Sequence, residues 1–304
     1  MLNIGLYLST VLIWGTTWIA IKLQLGDVAV QASIIYRFIL AGAVLFTVLL
    51  LSRRLQKLDS RDHLFCLLQG CCLFSFNFYC FYSATGYISS GLASVIFSMA
   101  TVMNVMNNRI WFGKRPTART LAGSAVGLMG ITLLFWPEIT ANGFNQDVLI
   151  GMGLGLLGVW LFSSGNMVSV RHQKKGLKTT STNAWSIFYG VLVLMLVSLV
   201  QGVEFTFSTE PQYLYSLLYL AIPGTVIAFT TYLMLVGRIG ADKAAYSTVM
   251  FPAVALTVST FYEGYQWTLL AGIGFCLVMM GNLLIFAKLP QWLKRNKSPK
   301  LYEG

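Results

Sequence analysis

Apolar runs of about twenty residues alternate with short polar connectors along nearly the whole chain. Ten runs can be drawn, at 3–23, 32–52, 64–84, 91–111, 119–137, 148–170, 182–202, 212–236, 243–262 and 267–287. A helix needs about 20 residues to cross the roughly 30 Å hydrocarbon core of a bilayer. The runs are continuously apolar and lack the period-two alternation of barrel strands, so the pattern predicts membrane-spanning helices. The expected fold is an all-α polytopic membrane protein with ten transmembrane helices.

Composition supports this reading. Hydrophobic residues make up 56% of the 304 and charged residues only 10%, against about 25% charged in soluble domains. Mean hydropathy is +0.70. Cys66, Cys71, Cys72, Cys80 and Cys276 all lie in apolar runs, where they read as small buried residues rather than disulfides or metal ligands. His63 and His172 stand far apart, so no metal site is expected. The first run lacks a basic segment before it and a small-x-small site after it, so it is expected to remain as a span.

The net charge of +11 is concentrated in alternate connectors. With the N-terminus inside, the inner segments 53–63, 112–118, 171–181 and 237–242, the adjoining helix starts and the C-terminal tail hold 18 of the 21 Lys and Arg residues. Lys22, Arg37 and Arg109 fall within spans, and the outer connectors hold none. The positive-inside rule then places both termini in the cytoplasm. The charge belongs to topology, and nucleic acid is not an expected partner.

The chain also repeats itself at an offset of 151 residues. Gly86 matches Gly237, Ala93 Ala244, Met99 Met250, Gly113 Gly264, Thr117 Thr268, Gly123 Gly274, Gly130 Gly281 and Phe135 Phe286, without a gap. Five spans per half is an odd number, so the second half must be inverted. The expected division is 1–140 and 141–290 as two inverted five-helix repeats, with 291–304 as a basic cytoplasmic tail. Inverted repeats are common in secondary transporters, whose substrates bind near the midplane between the halves.

With these features in hand, WGTTWIAIK at 14–22, Arg37-Phe38 in the second span and the turn GKRPTARTLAG at 113–123 resemble the drug/metabolite transporter superfamily, EamA type. The resemblance covers residues 3–287, with YEGYQWTLLAG at 262–272 a looser second copy of the turn. Lys114 stands where the family's turn carries an acidic residue. The resemblance implies transport of a metabolite or drug, often export, in a bacterial inner membrane. It leaves the substrate open.

Candidate path residues follow from polar groups in apolar spans. Tyr7, Thr10, Trp14 and Thr17 share one helical face. Trp14 and Thr17 are read as cavity lining, although a Thr hydroxyl also bonds its own helix one turn earlier. In the fourth span Ser94, Ser98, Thr101, Asn104 and Asn108 cluster in direction, and either line a cavity or bond a neighbouring helix. Asn77 poses the same choice. Trp160 and Ser164 in the sixth span are candidates, with Trp160 answering Trp14 across the pseudo-two-fold. Tyr246 precedes Pro252, which is either a hinge or an ordinary membrane proline. Lys22 and Arg37, near outer ends, either anchor at headgroups or attract an anionic group at the outer mouth.

These neutral and aromatic groups suit a small amphipathic or zwitterionic metabolite, such as an amino acid. No Asp or Glu sits mid-span, so transport is expected to run down the solute gradient or by exchange. No cofactor is expected, since no phosphate-binding Gly-Lys-Ser/Thr loop is present, and no catalytic cluster suggests an enzyme. Small-residue faces such as Gly123–Gly127 and Gly151–Gly155 pack within one chain or form a homodimer. The alternatives are a sugar-phosphate or nucleotide-sugar carrier and a non-transporting membrane sensor or assembly protein.

Overall fold

In this computed structural model the chain is described over residues 2–113, 115–140, 146–228, 231–232 and 246–286. Several side chains within these ranges, Thr101 and Tyr246 among them, lie outside the described ones. So do the basic tail at 291–304 and the repeat partners at 237 and 244.

Every described secondary-structure element is helical. In chain order they are α1 (Leu2–Leu23), α2 (Val30–Leu51), α3 (Ser60–Gly70), α4 (Phe76–Tyr87), α5 (Ser90–Ser98), α6 (Ala100–Phe112), α7 (Ala118–Thr140), α8 (Gln146–Lys174), α9 (Thr179–Val200), α10 (Pro211–Ala221), α11 (Tyr246–Tyr262) and α12 (Leu269–Phe286). The chain is thus an all-α polytopic membrane protein. Six helices are long and apolar enough to span a bilayer, α3 and α4 counting as one over Ser60–Tyr87. The bent pair Ser90–Ser98 and Val102–Phe112, with 41° between its parts, makes a seventh. α11 and α12 supply shorter apolar helices.

Lipid explains which faces are exposed. Ile4, Leu8 and Leu12 line one side of α1, and Phe188, Leu192, Leu196 and Leu199 one side of α9. Such stripes would be costly in water and are favourable in hydrocarbon. The polar residues turn inward: Thr10, Ser33, Arg37, Asn77, Thr85, Ser98 and Asn107 are all buried.

Two wide π-helical turns interrupt the bundle, Cys71–Ser75 between α3 and α4 and Ile222–Ile227 after α10. Their first residues stand 151 apart, the offset of the repeat. The turns at the ends of α6 and α11 also recur. Gly113 and Gly264 take left-handed backbones (φ 64° and 69°) that a side chain would strain. Four residues on, Thr117 accepts from the Thr120 N–H and Thr268 from the Ala271 N–H, capping α7 and α12.

α7 and α12 pack closely through glycine. A Cβ at Gly130 would lie 2.7 Å from the Gly274 carbonyl oxygen, and one at Gly281 would lie 2.6 Å from that of Gly123. Gly123 and Gly274 are repeat partners, as are Gly130 and Gly281. Such reciprocal pairing is what a two-fold axis produces. Small residues let the backbones approach where no hydrophobic force drives helices together in lipid.

Candidate functional site

The polar face of α1 meets the segment that follows α10. Thr10 Oγ1 lies 3.2 Å from Thr231 Oγ1, and Trp14 Nε1 donates to the Gly224 carbonyl at 3.0 Å. The Ala228 N–H goes to the Pro223 and Thr225 carbonyl oxygens and passes over Gly224. The Trp14 ring also packs against Tyr232 and Phe251, each 5.3 Å away between centroids. Phe251 adjoins Pro252, which lies inside α11. Thr17 is buried beside Gly224, its hydroxyl donating to the Trp14 carbonyl at 2.7 Å.

Arg37 lies alongside, its Nη2 4.0 Å from where a Gly224 Cβ would stand. It is 3% exposed, so it is not a headgroup anchor. Nη2 and Nε donate to Thr225 Oγ1 at 3.3 and 3.4 Å, and Nη1 donates to Tyr82 Oη at 3.4 Å. The guanidinium sits 4.6 Å from the centre of the Phe78 ring. Tyr82 Oη in turn donates to Gln24 Oε1 at 2.8 Å.

A second polar group joins α6 to α8. Ser163 Oγ donates to Asn104 Oδ1 at 2.8 Å, while Asn107 Nδ2 donates to Ser163 Oγ at 2.9 Å and Ser164 Oγ at 3.2 Å. Asn104 thus accepts from Ser163, and Ser164 from Asn107, both across the α6–α8 interface, contacts of the kind the second reading of the fourth span names. Ser98 is buried and donates to the Val95 carbonyl on its own helix. Asn77 Nδ2 donates to the Gly158 carbonyl at 2.7 Å, tying α4 to α8. Between these groups lies an aromatic cluster: Trp18 with Phe81 and Phe97, and Phe97 with Phe162 at 4.7 Å.

The pairing of Trp160 with Trp14 does not hold. Trp160 is 44% exposed on the same stripe of α8 as Ile150 and Leu157. The offset carries Trp14 onto Gly165 and Leu73 onto Gly224. A Cβ at Gly165 would lie 2.5 Å from Leu73 Cγ. Leu73 thus stands against Gly165, and their repeat partners Gly224 and Trp14 meet through the Trp14 Nε1 hydrogen bond. Thr101 and Tyr246 fall outside the described side chains.

Sequence reasoning passed over Trp18, Gln24, Tyr82, Asn107 and Thr225. The bend between α5 and α6 resets the helical phase, so a stripe projected from Ser94 selects Asn108 in place of Asn107. Asn108 only bonds its own helix, at the Asn104 carbonyl.

Two ionic groups lie near helix ends. At one, Lys22 Nζ donates to the Thr85 carbonyl at 2.6 Å and lies 3.9 Å from Glu263. Glu263 also accepts from the backbone N–H and hydroxyl of Ser90 at the start of α5. At the other, buried Asp62 pairs with Arg171 at 2.6 Å and Lys175 at 2.8 Å. Among the described residues no cluster of His, Cys, Asp or Glu is arranged to hold a metal.

The model of the EamA-like transporter family matches residues 1–136 and again 149–287. The chain is 25% identical over 283 residues to the uncharacterised transporter YoaV of Bacillus subtilis, covering 90% of this chain and 93% of that one. It is 24% identical over 199 residues to a "Probable amino-acid metabolite efflux pump" of Escherichia coli, covering 63% of this chain and 66% of the other. A "Probable terminal-alkyne amino-acid exporter" of Streptantibioticus cattleyicolor is 25% identical over 202 residues, covering 66% of this chain and 65% of its own. A protein of known crystal structure superposes with a TM-score of 0.67, covering 97% of this chain and 99% of that one, at 16% identity, a likeness of fold.

Proposed function

The chain belongs to the EamA-like transporter family, and we propose that it carries a small amphipathic or zwitterionic organic solute, of amino-acid type, by alternating access. The family and the names of its relatives point to a small-molecule transporter in the membrane rather than an enzyme. The proposed setting is a bacterial inner membrane with both termini cytoplasmic. Ten spans in two inverted five-helix repeats, 1–140 and 141–290, form the proposed machine.

One observation carries the reading: the interface between the two matched segments is lined with aromatic and hydrogen-bonding side chains inside an apolar bundle. Trp14 and Thr17 of the first face Gly224, Tyr232 and Phe251 of the second. An aromatic wall with a few placed polar groups suits a solute that is part apolar and part polar. Ionic contacts near helix ends supply groups that can open in turn, Lys22 with Glu263 and Asp62 with Arg171 and Lys175. The relatives named for amino-acid export support the solute class and the direction outward.

The test is a thermal-shift screen of the purified protein against amino acids, amines and sugar phosphates. Binding to the folded state raises its midpoint. Stabilisation by one or more amino acids is expected. Stabilisation by sugar phosphates alone would replace this reading with the sugar-phosphate one.

A further inference from the structure

A pocket of about 210 Å³ opens at the Lys22 end, lined by Gln24, Asp27, Ser208, Glu210, Gln212 and Tyr213 among others. Asp27 and Glu210 are exposed at its rim. Gln24 is 2% exposed, and its Nε2 has no hydrogen-bond partner. Buried amides are seldom left in that state, because an unmet donor keeps its full desolvation cost.

Gln24 also leads to the buried cation. Its Oε1 accepts from Tyr82 Oη, and that oxygen accepts from Arg37. Tyr213, on the pocket wall, places its hydroxyl 3.0 Å from Ser33 Oγ, one helical turn before Arg37 on α2. The Arg37 guanidinium meets only neutral partners, at 3.3–3.4 Å. Charge-assisted bonds are normally about 2.7–2.9 Å. Among the described residues no carboxylate lies within ion-pair distance of it. A buried charge is expensive unless an opposite charge meets it.

We propose that Gln24 on the wall of this pocket, and Arg37 behind the Tyr82 hydroxyl that links the two, form a carboxylate-binding subsite, which takes the carboxylate of a zwitterionic solute. Arg37 supplies the charge and a planar fork of donors, and the free Gln24 N–H supplies one more. Tyr82 and Thr225 hold the guanidinium in place. Asp27 and Glu210 at the rim favour the ammonium end, so the field runs from a negative mouth toward the cation behind Tyr82. A single guanidinium matches a monovalent carboxylate. The subsite rests on the reading of the chain as a carrier of amino-acid-like solutes.

The experiment compares L-phenylalanine with L-phenylalaninamide and phenethylamine, which share its side chain and lack the carboxylate. Binding is read by thermal shift, and uptake is read in reconstituted vesicles. The wild-type protein should bind phenylalanine at least about tenfold more tightly than either analogue. Arg37→Gln should erase that preference, and Arg37→Lys should keep part of it. Gln24→Leu should weaken phenylalanine alone and leave the amine unchanged. If the Arg37 variants do not fold, the wild-type comparison still decides. Equal binding of all three solutes overturns the subsite and leaves the transport reading standing. Preference for a phosphate ester over phenylalanine overturns the carboxylate assignment. No binding or uptake of any of them overturns the subsite and the solute class together.

Discussion

At the scale of single residues, Trp14 shows how side-chain size and backbone geometry combine. Its N–H donates to the Gly224 carbonyl and its ring packs on Tyr232 and Phe251, while the room that Gly224 leaves is taken by Thr17. Trp14→Phe keeps most of the ring and removes the donor. A hydrogen bond of this kind contributes about 1 kcal/mol, so initial uptake in vesicles should fall about fivefold. Trp14→Ala, Asn77→Ala and Thr101→Val should each impair uptake while insertion into the membrane stays intact. Normal rates in all three would reject the site. Trp14, Thr17, Asn77 and Arg37 were legible from sequence because a polar or bulky group in an apolar run demands a reason. Trp160 misled because a tryptophan is equally at home against lipid. The offset of 151 pairs Trp160 with Ser9 and Trp14 with Gly165. Gln24 and Glu263 gave little signal, since residues at span ends look like ordinary connectors.

At the scale of elements, long apolar runs and capping turns are strong signals. The helices follow them closely: α1 covers Leu2–Leu23 where 3–23 was expected, and α9 covers Thr179–Val200 where 182–202 was expected. The recurrence of Gly113 and Gly264, each followed by a threonine cap, gives a physical reason for the repeated turn. The π turns and the bend between α5 and α6 left no mark in the hydrophobic pattern. One extra residue in a turn shifts helical phase without changing which residues are apolar. The seam between α7 and α12 makes its own prediction. Gly130→Leu would force a side chain into the backbone of α12 and should cost about 2–3 kcal/mol, seen as a lower unfolding midpoint in detergent. Gly272→Ala, on the same helix pair but with nothing within 4 Å of the new Cβ, should leave the midpoint unchanged. An equal loss in both would show that close packing is not what these glycines provide.

At the scale of the whole molecule, 21 basic and 10 acidic residues are distributed so that the bundle interior keeps little formal charge. Among the described residues Arg37 and Asp62 are buried charges, and Asp62 is paired with Arg171 and Lys175. A carrier that opens one end at a time can exchange solute for solute without a continuous pore. Counterflow in reconstituted vesicles measures this most directly. Vesicles loaded with unlabelled phenylalanine are diluted into a trace of labelled phenylalanine with no pH gradient. The account predicts a transient rise of label above its equilibrium level, which disappears in Trp14→Ala. Label that only approaches equilibrium, or that overshoots solely when a pH gradient is imposed, would contradict a solute-exchanging carrier.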